Sequence, residues 1–185
     1  GADSNFVEIR DALTLLPVAA FNQVQDECSG IAVFNDSAYV AMPGNWMSTT
    51  GTIHVIDLAN MSYVRSIQLD TAGAGIFDVF AYNNKLYTLN SLGWGSSIGI
   101  IGTYDFSSGT LTFDTLQGTI NAYAEAEITK NGELYFSING KLASYDVSSQ
   151  SISDTSLVDM DYSALALTDD QIFLTSTAYS VQADL

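Results

Sequence analysis

The chain has 185 residues, 47% of them hydrophobic, with 21 acidic side chains, only 5 basic ones and a formal net charge of −16. That is enough apolar material for one packed domain over residues 1–185, while the charge argues against phosphate backbones and anionic membranes as partners. The single cysteine, Cys28, excludes an intrachain disulfide and a thiolate zinc site, and no apolar run approaches the ~18 residues of a membrane span.

In chain order, residues 1–28 admit two readings. Asp3–Leu13 reads as a helix, with Phe6, Ile9 and Leu13 at helical spacing behind an Asp3 or Ser4 cap. Alternatively Phe6–Asp11 is a strand. Leu15–Phe21 reads as an outermost strand, where Pro17 is tolerated on the edge. From there the chain breaks into short runs rich in Val, Ile, Tyr, Phe and Thr and bounded by turn formers, the pattern of antiparallel strands. The first group is Ile31–Phe34, Ala38–Met42, Gly51–Leu58 and Tyr63–Leu69. The second runs from Val79 through Leu86–Leu89 and Ile100–Phe106 to Leu111–Leu116. The third is Glu125–Thr129, Glu133–Ile138, Lys141–Val147 and Ser151–Leu157. The last is Ala164–Leu167, Ile172–Thr175 and Tyr179–Asp184.

These groups repeat. A turn falls at Asn35-Asp36, Asn83-Asn84, Asn131-Gly132 and Asp169-Asp170, and four residues after its first position comes an aromatic: Tyr39, Tyr87, Tyr135, Phe173. An Asp flanked by apolar residues follows at Asp57, Asp105, Asp146 and Asp184, spaced 18, 18, 11 and 11 residues from the aromatic. A period of roughly 38–48 residues with four strands per unit marks propeller blades. The expected fold is therefore all-β, a β-propeller of four-stranded antiparallel blades at about 29–70, 77–118, 124–158 and 163–185. The last unit lacks an outer strand, and strand 15–21 would supply it, closing four blades in a 3+1 arrangement beside Tyr179–Asp184. If Phe6–Asp11 is a true third strand, the chain is instead a fragment of a six- to eight-bladed propeller.

The pattern Gly-x-(Ile/Leu)-x-x-(Tyr/Ile)-Asp-(Leu/Phe/Val), at Gly51–Leu58, Gly99–Phe106 and Gly140–Val147, resembles the repeats of YVTN/YncE-like propellers, over residues 29–185. The Trp-Asp dipeptides of WD40 blades and the paired glycines of kelch repeats are absent. The resemblance implies an extracytoplasmic binding module of bacterial periplasmic or surface type, and it carries no catalytic residue across.

Motifs for chemistry are weak. Gly95–Gly99 matches G-x-S-x-G, but a strand follows where a nucleophile elbow needs a helix, and the one histidine, His54, reads as a packed strand residue. The repeated Asp residues end third strands and read as turn caps. Glu125 and Glu127 lie two apart on an inner strand and share a face. Glu127 takes the place of Ile31, Val79 and Leu165 in the other units, which reads as a channel-mouth site for a polar ligand or a cation such as calcium, or as solvated channel lining. The two longer units carry seven extra residues between the second and third strands, each with a tryptophan seven residues after the landmark tyrosine: Trp46 and Trp94. Loops on that end would also carry Asp26, Glu27, Tyr123 and Tyr162.

Three functions follow from these residues. The first is a non-enzymatic module binding a small molecule, glycan, peptide or protein through Trp46, Trp94, Tyr123, Tyr162, Glu125, Glu127 and Asp78. The second is a propeller enzyme of lactonase or metal-dependent hydrolase type, its metal held by Glu125, Glu127, Asp78 or Asp26. The third is a structural or assembly module. No cofactor, nucleic-acid partner or membrane insertion is expected.

Overall fold

The computed structural model describes residues 7–24, 28–43, 49–92 and 95–176. The chain forms two compact units, Gly1–Gly95 with Ile100–Phe113, and Ser96–Gly99 with Asp114–Leu185. Among the described residues every regular element is a β-strand apart from one turn of 3₁₀-helix, Thr71–Gly73. No helix among the described residues is long and apolar enough to cross a membrane.

Three sheets are complete four-stranded antiparallel meanders. The first runs β3 (Gly30–Phe34), β4 (Ser37–Met42), β5 (Thr52–Asp57), β6 (Ser62–Gln68). The second runs β7 (Ile76–Tyr82), β8 (Lys85–Asn90), β9 (Ile98–Asp105), β10 (Leu111–Gln117). The third runs β11 (Glu127–Ile128), β12 (Glu133–Ile138), β13 (Lys141–Asp146), β14 (Ser151–Val158). Two smaller sheets flank them in sequence: β1 (Val7–Arg10) with β2 (Pro17–Phe21), and β15 (Tyr162–Leu167) with β16 (Ile172–Ser176).

Turn chemistry sets the hairpins. Asn35-Asp36 and Asn83-Asn84 both take positive φ at two successive residues, as does Asn139-Gly140, the two-residue turn whose twist matches antiparallel strands. Asp57 Oδ1 accepts the backbone N–H groups of Ala59 and Asn60, each at 2.9 Å. Asp105 does the same for Ser107 and Ser108, and Asp146 for Ser148 and Ser149. Each folds the link from a third to an outer strand.

Asp11 makes the same turn, accepting from Leu13 N at 3.0 Å and Thr14 N at 2.7 Å. The residue four places after each of these aspartates has positive φ: Leu15, Met61, Gly109 and Gln150. The β1–β2 hairpin is therefore the third-and-outer half of a blade. This overturns the helical reading of residues 3–13 where it is described: Val7–Arg10 is strand, paired with Pro17–Phe21. Strand 15–21 thus comes with its own third strand, as the larger-ring alternative requires. Residues 179–184, its expected neighbour in the 3+1 arrangement, lie outside the described residues.

Packing explains why the middle strands read as near-continuous apolar runs. β4 and β8 are each buried at every position after the first, because both faces of a blade meet a neighbour. In the first unit Tyr39, Ile53, Ile67, Leu69, Ile76, Val79, Leu86 and Tyr104 form one core between two sheets, with Phe34 and Phe106 packed against it. Phe106 stacks on Phe34 at 5.0 Å and tilts against Tyr39 at 5.1 Å. Each fully buried Leu or Ile there contributes about 1.5–3 kcal/mol. Arg65 Nη2 donates to Tyr104 Oη at 3.1 Å with its guanidinium 5.9 Å from that ring. The other face of β4 and β5 (Ala38, Val40, Met42, Ile56) packs on Phe21 and Val24, joined by Val7, Ile9 and Ala19 of the β1–β2 hairpin. In the second unit Ala124, Leu142, Tyr162 and Leu165 form a core joined by Tyr135, Leu167 and Leu174. There Tyr145 Oη donates to Asp114 Oδ2 at 2.5 Å.

The turn aspartates give the protein an acid limit. Each is held below the ordinary carboxylate range: Asp11 chiefly by the Thr14 N–H, Asp57 by the Asn60 side chain, Asp105 by the Ser108 N–H and Asp146 by the Ser148 N–H. A carboxyl whose folded pKa is depressed contributes stability above its unfolded pKa, ~4, and loses it as pH falls through the folded value. Thermal melts by circular dichroism should hold level from neutrality to about pH 5 and then decline. The triple variant Asp57→Asn, Asp105→Asn, Asp146→Asn should melt lower at neutral pH and lose less on acidification. Parallel declines in the two proteins would contradict this.

Candidate functional site

The candidate residues are placed by the loops that leave the sheets, and the loop lengths differ sharply. The second and third strands of the β11–β14 sheet are joined by two residues, 139–140. The corresponding links are nine residues, 43–51, in the β3–β6 sheet and seven, 91–97, in the β7–β10 sheet. Trp46 and Trp94 sit in these links and lie outside the described residues, as do Asp26 and Glu27.

The base of the second long loop is firmly held. Asn90, fully buried at the end of β8, donates through Nδ2 to Thr88 Oγ1 at 2.9 Å and across to Ile100 O at 3.1 Å. Ser91 N donates to Gly75 O and Leu92 N to Ala74 O, both at 3.0 Å, and Ser91 Oγ donates to Gly75 O at 3.2 Å. Asn90 Oδ1 and Thr103 Oγ1 are buried with no hydrogen-bond partner. Sequence reasoning missed Asn90 and Ser91. The available signal was a polar residue ending β8 where β4 ends in Met42.

Tyr123 stands out from the surface, 84% exposed. Asn121 shapes its loop: Asn121 Oδ1 accepts from Tyr123 N at 3.0 Å, and Asn121 N donates to Ser137 O at 3.1 Å. Tyr162 is the opposite, completely buried. Its hydroxyl donates to Glu125 O at 3.2 Å, and burial raises its pKa. Its place is underneath the loop, as support. Glu125 is occupied as well: its N donates to Ser163 O at 3.0 Å, and its Oε2 accepts from Leu165 N at 3.1 Å. Asp78, in the other unit, accepts from Val79 N at 2.8 Å. It lies where a side chain at Gly30 would collide with it.

Glu127 requires a correction of register. In the first two sheets a two-residue turn sets Ala32 opposite Tyr39 and Phe80 opposite Tyr87, and Ala166 lies opposite Phe173. Between β11 and β12, Thr129 N donates to Glu133 O at 2.9 Å, which leaves a three-residue turn, 130–132, with Gly132 at φ 84, and Glu127 lies opposite Tyr135. Glu127 thus matches Ala32, Phe80 and Ala166, not Ile31, Val79 and Leu165. A one-residue slip turns a side chain to the other face. Glu127 shares the face of Tyr135, which packs toward Tyr162 and Leu165, and its Oε2 is buried with no hydrogen-bond partner.

The structure therefore brings Glu125, Glu127 and Tyr162 together around β15, with Tyr123 on the loop leading in. Among the described residues no three His, Cys, Asp or Glu side chains come together as a group that could hold a metal. The G-x-S-x-G run leads straight into β9, with Ser96 Oγ donating to Ile98 O at 2.8 Å. His54 Nδ1 is 3.2 Å from Tyr63 Oη and its ring packs on that tyrosine. A cleft of about 460 Å³ at the turn end of the second unit is lined by Thr129, Glu133, Tyr135, Thr168 and Asp170 among others. Its lining includes the repeat landmarks Asn131, Tyr135, Asp169 and Asp170, which the sequence marked as turn and strand residues and not as a site.

Known structures give the fold a frame. The chain is similar to the Neurospora crassa Pan2 WD40 domain, at 12% identity and a TM-score of 0.67 over 95% of this chain and 54% of that one. It is similar to U3-55K at 14% identity and 0.68, over 92% and 53%. It also resembles the computationally designed Ika4 protein at 13% identity and 0.59, over 83% and 87%. The chain spans about half the length of the Pan2 domain and U3-55K. No protein-family model and no curated protein matches it. These likenesses establish a β-propeller fold.

The lone carboxylate oxygen generates a prediction. Glu127→Leu removes an unpaired buried polar group, so it should raise stability by about 1–3 kcal/mol, read as a higher Tm. A lower Tm would show that the carboxylate is satisfied in solution.

Proposed function

We propose that this chain is a non-enzymatic binding module that works outside the cytoplasm and takes its ligand on the long loops bearing Trp46 and Trp94. The observation that carries the reading is the contrast in loop length. The β11–β14 sheet forms with a two-residue link where the other two use nine and seven, so the extra residues serve no need of a blade. Connections retained beyond structural need are where scaffolds carry function. A tryptophan at the same offset in both loops supplies a large rigid apolar face at small entropic cost, suited to a sugar ring or an apolar patch on a peptide or protein. The hydrogen bonds of Asn90 and Ser91 at the base of the second loop favour a positioned recognition loop. Tyr123 offers a separate exposed aromatic on the second unit. The location is supported by the resemblance of the Gly51–Leu58 and Gly140–Val147 runs to YVTN/YncE-like repeats and by the strongly acidic composition.

The test is intrinsic tryptophan fluorescence of the full chain titrated with soluble oligosaccharides and with aromatic-rich peptides. Binding should perturb the emission of the natural protein. The double variant Trp46→Ala, Trp94→Ala keeps neither of the chain's two tryptophans, so its binding is read by isothermal titration calorimetry, where it should be at least about tenfold weaker with an unchanged Tm. A Tm lowered by several degrees, with binding untouched, would make the tryptophans packing residues and overturn the reading.

A further inference from the structure

The cleft of about 460 Å³ in the second unit lies at turns between first and second strands. That is the end of a blade opposite to its second-to-third link, so the cleft is a separate feature from the long loops. One of its walls is a single face of β11–β12. Thr129 N donates to Glu133 O and Glu127 lies opposite Tyr135, so these four side chains share that face. Ser137, two residues beyond Tyr135, is on it too, opposite Leu142 of the core. Thr129, Glu133 and Tyr135 line the cleft on this side, and Leu167, Asp170 and Ile172 line it from the β15–β16 hairpin.

Deeper along the same face two polar groups are unsatisfied. Glu127 Oε2 and Ser137 Oγ are both buried with no hydrogen-bond partner, and Ser137 is only 1% exposed. An unpaired polar group is costly inside a protein and common where something else pairs it. Two of them behind an open cleft point to a ligand that donates hydrogen bonds. With Glu133 and Asp170 at the mouth, that ligand is a cation.

The chain has no cation of its own to give. Arg10 pairs with Glu8 at 2.8 Å, Lys130 with Asp169 at 2.7 Å and Lys141 with Asp159 at 3.3 Å. Lys85 stands opposite Asp105 in the ladder, and Arg65 lies on Tyr104. These five are every Lys and Arg in the sequence. A metal ion fits poorly, because among the described residues no three His, Cys, Asp or Glu side chains gather as a metal-holding group. Glu127 is the diagonal neighbour of both Glu133 and Ser137, each two residues from Tyr135, and such diagonals are roughly 7–8 Å apart. One carboxylate inside and one at the mouth suit two ammonium groups on a short hydrocarbon chain. Tyr135, Leu167 and Ile172 offer that chain apolar contact.

We propose that this cleft is a second binding site, for a small diammonium ion whose inner end donates to Glu127 and Ser137 and whose outer end meets Glu133. The experiment is isothermal titration calorimetry of the full chain with cadaverine in moderate salt, which screens loose association with the acidic surface. Pentylamine and uncharged pentanediol, of the same length, are the controls. Cadaverine should bind saturably at one site and raise the Tm, pentylamine should bind more weakly and pentanediol not at all. Glu127→Gln and Glu133→Gln should each bind cadaverine at least about tenfold more weakly. Asp161→Asn, the same change of charge on the link from β14 to β15 at the other end of the sheet, should bind as the natural chain does. Circular dichroism checks each fold, and either glutamate variant suffices if the other fails it. Absence of saturable binding, equal binding of pentylamine or pentanediol, or a folded Glu127→Gln or Glu133→Gln that binds as well as Asp161→Asn overturns the proposal.

Discussion

A propeller blade is apolar on both faces, and no such sheet is stable in water alone. That requirement governs what is seen here. β4 and β8 are buried at every position after the first, and Phe106 meets aromatic side chains of the neighbouring sheet, Phe34 and Tyr39. Interiors pack at crystal-like density, so the few glycines of close approach are as constrained as the large side chains. A Cβ at Gly30 would lie 2.5 Å from Asp78 Oδ1 and 2.9 Å from its Cα.

The strands and hairpins were legible in the sequence because each is specified locally. Paired Asn and Asp residues mark positive-φ turns, and an aspartate after a third strand must cap the N–H groups two and three residues on. Other features depend on things a residue count cannot weigh. The turn before β12 has one residue more than those before β4 and β8, a difference invisible at the aromatic landmark, and it moves Glu127 to the opposite face. Tyr162 was expected among loop residues at a surface. It is buried because its hydroxyl finds Glu125 O, which satisfies its polar end inside the core. Phe6, Ile9 and Leu13 have helical spacing, yet Asp11 breaks the run by capping its own turn.

The division between scaffold and function follows the same logic. Asp57, Asp105 and Asp146 cap turns as their place in the repeat leads one to expect, and Asp11 does the same, while Glu125, a candidate site residue, spends its Oε2 on Leu165 N. What distinguishes one sheet from another is the length of its second-to-third link and the tryptophan it carries. Specificity built that way can change without disturbing a core, because the two-residue link of β12–β13 already closes a blade.

The requirement that both faces be covered is tested most directly by amide hydrogen exchange, strand by strand, on the dilute chain. The two inner strands β3 and β7 are alike in sequence pattern and pairing, but Val79 of β7 is buried while Ile31 and Val33 of β3 are exposed. Local opening is easier where fewer apolar contacts must break. Slowest exchange is expected in β4, β5, β8 and β9, with β3 exchanging clearly faster than β7. Equal protection of β3 and β7 in the dilute chain would contradict the account, since a strand with one bare face would then be as stable as one covered on both.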